Sequence, residues 1–168
     1  MTEAVRQHGF LCLDLGSSVG WAYQRADDAM PLFGTWHLAD TTLHGPRYAS
    51  YENELIAALE RFKPTIVVME APLHRGSHKG NAAARLALGL VAYTEGECFR
   101  ARVQLREEHS ATTRKAVLGR GTFAKGTVKD EAMGWCMANG MRVSDSHQAD
   151  ALVLLRHTCG VQDRLRRY

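Results

Sequence analysis

Apolar residues along this chain fall into unbroken short runs, looser short runs and longer stretches at helical spacing. The first unbroken run, Phe10–Leu15 (FLCLDL), reads as a buried strand, although a carboxylate, Asp14, sits near its end. Gly20–Arg25 (GWAYQR) and Leu32–Leu38 (LFGTWHL) read as short strands following by tight turns, which predicts an antiparallel meander of three strands. Tyr48–Phe62 places Tyr51, Leu55, Ile56, Leu59 and Phe62 at helical spacing, and Lys63-Pro64 stops it. Thr65–Glu70 (TIVVME) is a second unbroken run, as expected of a strand covered on both faces in a parallel sheet. Asn81–Phe99 is predicted helical, Arg102–Leu105 a short strand, and Thr112–Leu118, Val128–Ala138 and His147–Thr158 three further helices. The order β-β-β-α-β-α-β-α-α-α predicts an α/β fold with a mixed five-stranded sheet flanked by helices.

Two strands thus end on acids, LCLD at Asp14 and VVME at Glu70. A buried carboxylate costs several kcal/mol unless it is paired or bound to a cation. Ligands of open α/β sheets sit outside the carboxyl ends of the strands. If these strands are neighbours, both acids arrive at one place and repel unless a cation joins them. Hard oxygen ligands of this kind suit Mg²⁺ or Mn²⁺. The last helix begins SDSHQADALVLL, with His147 and Asp150 three apart on one face. Asp145 reads as an N-cap or first-turn acid. Asp150, between Ala149 and Ala151 on an apolar helix, reads as functional.

Composition adds less. A chain of 168 residues suits one domain, spanning 1–168 with loose ends at 1–8 and 160–168. Net charge is +3 and the pI about 8.8, just short of a strongly basic nucleic-acid binder. The positive charge is nevertheless concentrated: Ala71–Asp130 carries eleven Lys/Arg against five Asp/Glu. A patch of that kind steers polyanions. The four cysteines, Cys12, Cys98, Cys136 and Cys159, lie far apart without a CxxC pair and are read as reduced, which suits the cytoplasm. The first ten residues carry charge and lack the apolar core of a signal peptide, and no run of about 20 apolar residues predicts a membrane span.

Taken together and in order, four stretches resemble the RuvC family of Holliday-junction resolvases within the RNase H-like superfamily. LCLDLGSSVGWAY is similar to the family's first strand, I-D-P-G-S-x-x-x-G-Y, with Leu15 in place of the usual Pro. TIVVMEAP is similar to its strand ending in Glu, RKAVLGRGTFAKGTVKDEAM to its K-x-x-V-x-G-x-G-x-x-x-K segment, and HQADALVLLRH to its terminal helix. The resemblance runs from about Gly9 to His157 and implies an RNase H-like fold and a nuclease cutting four-way DNA junctions with two divalent ions. On that likeness Asp14 bridges both metals, Glu70 and Asp150 complete the carboxylates, and His147 stands where relatives carry Asp or His. His147 then either binds metal or helps activate water. Two ions about 4 Å apart stabilise both the attacking and the leaving oxygen of a phosphodiester.

The resemblance further implies that Lys115 and Lys125 lie near the DNA backbone, with Gly119 and Gly121 keeping their turn tight, and Arg114 beside them is expected to contact DNA too. The loop Ala71–Asn81 (APLHRGSHKGN) follows Glu70 and suits a phosphate grip through Arg75 and Lys79. Leu73 stands near the loop position where relatives often place a stacking aromatic, so stacking is not expected to carry over. Helix Asn81–Phe99 sets Ala83, Leu86, Ala87, Leu90 and Val91 on one side, a stripe that reads as plain core; the family's equivalent helix supports a homodimer, and two symmetric cuts call for two sites. Three rival readings remain open to the same residues. LDLGSS also resembles the phosphate loop of sugar-kinase and actin-like ATPases, which need a second such domain. A non-catalytic junction-binding protein would be expected to have lost a metal-binding acid, and every acidic position except the variable one, His147, is filled. A broader branched-DNA nuclease of phage type shares every residue named.

Overall fold

The computed structural model describes residues 9–71, 81–124 and 126–165. The elements are β1 (Gly9–Asp14), β2 (Ser18–Arg25), β3 (Leu32–His37), α1 (His44–Phe62), β4 (Ile66–Glu70), α2 (Asn81–Ala101), β5 (Gln104–Glu108), α3 (Ser110–Leu118), α4 (Val128–Ala138) and α5 (Ser146–Leu165). They build an α/β fold around a five-stranded mixed sheet of order β3-β2-β1-β4-β5. β1, β2 and β3 form the expected antiparallel meander. β4 lies parallel to β1, and β5 parallel to β4.

Alternation along the two central strands divides the core in two. Leu11, Leu13, Val67 and Met69 point to one face and pack with Tyr51 and Leu55 of α1 and Leu86 and Leu90 of α2. Phe10, Cys12, Ile66 and Val68 point to the other and pack with Ala149, Ala151 and Leu152–Leu155 of α5 and Ala132 and Cys136 of α4. This double coverage explains why both strands read as unbroken apolar runs.

Element boundaries differ from the sequence expectations where polar residues hide them. α1 begins at His44 rather than Tyr48, with Pro46 in its first turn, where a missing N–H leaves no gap in the helix ladder. It ends as expected: Lys63 adopts a left-handed φ of 46° and its N–H donates to the Leu59 carbonyl at 3.0 Å. β5 runs Gln104–Glu108, not Arg102–Leu105. Its sequence QLREE has no apolar run because it is an edge strand, half-buried at most, and pairing with β4 defines it. α5 continues past Thr158 to Leu165, and 1–8 and 166–168 lie outside the described residues. All four cysteines are free. Among the described residues no helix is long and apolar enough to cross a membrane.

Candidate active site

Strand alternation aims both terminal acids at the same helix. Asp14 follows Phe10 and Cys12 at even spacing, and Glu70 follows Ile66 and Val68, so both carboxylates face α5. β1 and β4 pair in register at Leu13 and Met69, and Asp14 and Glu70 are the next residue on each strand. The sheet thus delivers the two acids side by side at its carboxyl end.

The same level of the sheet is used across all five strands. Asp14 is paired with Gly20 of β2, Gly20 with Thr35 of β3, and Glu70 with Glu108 of β5. Each member meets the helices above. Thr35 Oγ1 donates to Asp145 Oδ2 at 2.6 Å, and Asp145 Oδ1 accepts from the Gln148 N–H at 2.9 Å. Asp145 is therefore the N-cap of α5, as its sequence position suggests, and is anchored to the sheet as well. Those bonds hold its carboxyl below the usual range against the opposing effect of burial. At Gly20 a Cβ would fall 1.9 Å from the His147 carbonyl oxygen, so only glycine lets the first turn of α5 press onto β2.

That approach brings His147 and Asp150 over the acids. His147 Nδ1–H donates to Asp14 Oδ2 at 3.0 Å, and this bond raises the imidazole pKa. With Nδ1 engaged, Nε2 is the nitrogen left to act. Glu70 is pushed up to about 7, chiefly by burial and then by the charge of Asp14, with Asp150 adding to it. Asp150 is pushed up to about 6 by burial and by Asp14. Arg114 lies 4.0 Å from Glu70 Oε1 and opposes both shifts, and Lys129 of α4 also opposes that of Asp150.

The residues fit a divalent cation in donor type. Three carboxylates and an imidazole share one strand-end site, and the like charges of Asp14 and Asp150 disfavour ionising Glu70 until a cation offsets them. Among the described residues no three His, Cys, Asp or Glu groups already surround a single point, so the set is assembled without being closed. A cleft of ≈ 400 Å³ opens beside Asp14 and Glu70, lined by Leu15–Ser17 and by Ala83, Leu86, Ala87 and Val91 of α2.

Asp14, Glu70, His147 and Asp150 are thus brought together as the sequence reading expects. Arg114 is half-buried against Glu70 rather than free at the surface. Lys115 is exposed on α3. Arg75, Lys79 and Lys125, with Leu73, lie outside the described residues. Gly119 ends α3 with a left-handed φ of 82°, which supports its role in the turn. The α2 stripe serves both core and cleft: Leu90 is core, Leu86 is buried and also lines the cleft, and Ala83, Ala87 and Val91 line the cleft. Sequence reasoning passed over Thr35 and Lys129. Lys129 lies inside the family-like segment, so a signal existed; Thr35 carries none, because its role depends on strand register.

No protein-family model and no curated protein matches the sequence. Solved structures do match the fold. Thermus thermophilus RuvC in complex with a Holliday junction substrate superposes with a TM-score of 0.66 at 19% identity, covering 87% of this chain and 89% of that one. Another Thermus thermophilus RuvC structure gives 0.63 at 21% identity, covering 86% and 89%. The yeast mitochondrial Holliday junction resolvase gives 0.64 at 14% identity, covering 96% and 82%. The chain has the RuvC-type, RNase H-like fold.

Proposed function

We propose that this protein is a metal-dependent, structure-selective DNA endonuclease that resolves four-way junctions by paired nicks. The observation that carries the reading is the convergence of Asp14, Glu70, Asp150 and His147 at the carboxyl ends of two adjacent central strands, on the fold shared with RuvC. Asp14, Glu70 and Asp150 would hold two Mg²⁺ or Mn²⁺ ions, with His147 at the edge of the set. Bound there, the ions would supply Lewis-acid stabilisation of the attacking and leaving oxygens. Asp14 holds the His147 ring through Nδ1, so Nε2 is positioned to accept a proton from the attacking water or to bind metal. Arg114 balances Glu70 and sits where a phosphate would approach, and Lys115 extends the cationic surface along α3. Arg75, Lys79 and Lys125 are proposed to contact the DNA backbone.

Two opposed cuts call for a homodimer. Leu88 and Phe99 of α2 are 49% and 85% exposed and lie eleven residues apart, close to three full helical turns, on a face directed away from the core. That row supports α2 as the dimer helix. The free cysteines fit a reducing compartment, the cytoplasm of a bacterium or a phage-infected cell.

The test is cleavage of a labelled four-way junction, a splayed fork and a linear duplex, with Mg²⁺, Mn²⁺ or EDTA. Paired, symmetric, metal-dependent nicks confined to the junction are expected. Equal cutting of fork and junction would replace resolution with general debranching. Junction binding without cutting under either metal would leave a binding protein of the same fold.

A further inference from the structure

The cleft beside the acids has an edge, the β1–β2 turn, that the chemistry above leaves unused. The cleft floor holds Asp14 and Glu70, and Leu15–Ser17 form that edge. Among the described residues a cation from α1 reaches that edge. Arg47, one turn into α1, donates from Nη2 to the Ser17 carbonyl at 3.2 Å, in an exposed contact. Its Nε–H is buried and has no partner among the described residues. The first turn of α1 holds no acid that could neutralise the guanidinium.

A guanidinium carries five N–H donors in a planar fork. Latching α1 to the turn uses one of them, and an unmatched buried donor is costly to keep. What remains is a cation oriented by a backbone carbonyl, three residues along the chain from Asp14, with donors to spare. Arg114 lies against Glu70, the acid that ends β4. A polyanionic strand drawn across a carboxylate set needs cations beside it, and a planar fork matches the paired oxygens of a phosphate.

We infer that Arg47 is a phosphate-contacting residue, gripping the backbone phosphate that flanks the cleavage point at the β1–β2 edge of the cleft. The Ser17 carbonyl sets its orientation, and the strand occupies the channel between the β1–β2 turn and α2. The inference rests on the nuclease reading and adds to it the path of the strand.

The experiment measures binding of a labelled four-way junction to the full chain in EDTA over a series of NaCl concentrations, for wild type, Arg47→Ala and Arg47→Lys. Arg47→Ala is expected to bind about tenfold more weakly and to lower the slope of log K against log salt by about 0.7–0.9, the amount for one phosphate contact. Arg47→Lys keeps the charge but loses the fork, so the slope should hold while affinity falls. A wild-type slope and affinity in Arg47→Ala would show a structural latch only and overturn the inference, whatever happens to its thermal stability. Should Arg47→Ala fail to fold, unchanged affinity in Arg47→Lys overturns it equally. If wild type cuts junctions while both variants match it in binding, only the Arg47 role fails. If wild type neither binds nor cuts any DNA, the nuclease reading fails with it.

Discussion

The two faces of the sheet are built from the same two strands yet do opposite things. On the α1–α2 face, Leu11, Leu13, Val67 and Met69 are all fully buried against Tyr51, Leu55 and Leu90. On the α5 face the same strands begin apolar, with Phe10, Cys12, Ile66 and Val68, then end in Asp14 and Glu70. One face is uniformly stabilising. The other gives up burial at its last level, where like charges are gathered and Gly20 is kept bare so that α5 can approach. A site of mutually repelling acids is tolerable because the opposite face holds the sheet rigid beneath it.

That contrast makes measurable demands. Asp14→Asn should cut cleavage by more than about 10³-fold, over ~4 kcal/mol of transition-state stabilisation, while circular dichroism and melting temperature stay near wild type. A comparable loss of fold would instead place Asp14 with the structural face. Leu55→Ala, fully buried on the α1–α2 face, should cost about 2–5 kcal/mol in denaturant unfolding and leave the folded fraction active.

Glu70 gives the pH dependence. Its folded pKa, about 7 against a usual 4.5, lies above the unfolded value, so the folded state binds the extra proton between them. Stability is then fully present below about pH 4.5 and is lost as pH rises through about 7. Asp150, at about 6, adds to the loss in the same direction. Glu70→Gln should flatten the fall and stabilise the metal-free protein by about 3 kcal/mol at pH 8; saturating Mg²⁺ should flatten it in the wild type. A melting temperature independent of pH across this window would show that the acids are not coupled. The smallest effect is expected at Thr35. Thr35→Val removes one hydrogen bond to Asp145 and should cost about 1 kcal/mol, lower kcat several-fold with KM unchanged, and be rescued by Thr35→Ser. Unaltered kcat would confine the α5 anchor to stability.

Much of this could be read along the chain. Alternation and unbroken apolar runs identify β1 and β4, because strands covered on both faces must be apolar throughout. The acids that end them stand out against that background, and the H-x-x-D pair stands out on an apolar helix. β5 starts two residues and ends three residues later than expected, since an edge strand of sequence QLREE has no burial pattern to betray it. Arg114 was expected at a DNA contact, and its place beside Glu70 was not legible, because that contact joins α3 to β4 across forty-four residues.

Local chemistry along the chain was enough to set the order of the elements, the two central strands and the acids that end them, because burial and helical or strand periodicity act over a few residues. The register that aligns Thr35, Gly20 and Asp14, the Nδ1 bond that leaves His147 Nε2 free, and the raised pKa values of Glu70 and Asp150 came from the packed structure alone. Those properties depend on which distant groups stand within a few ångströms and how much water is excluded, and both are decided when α5 docks on the sheet.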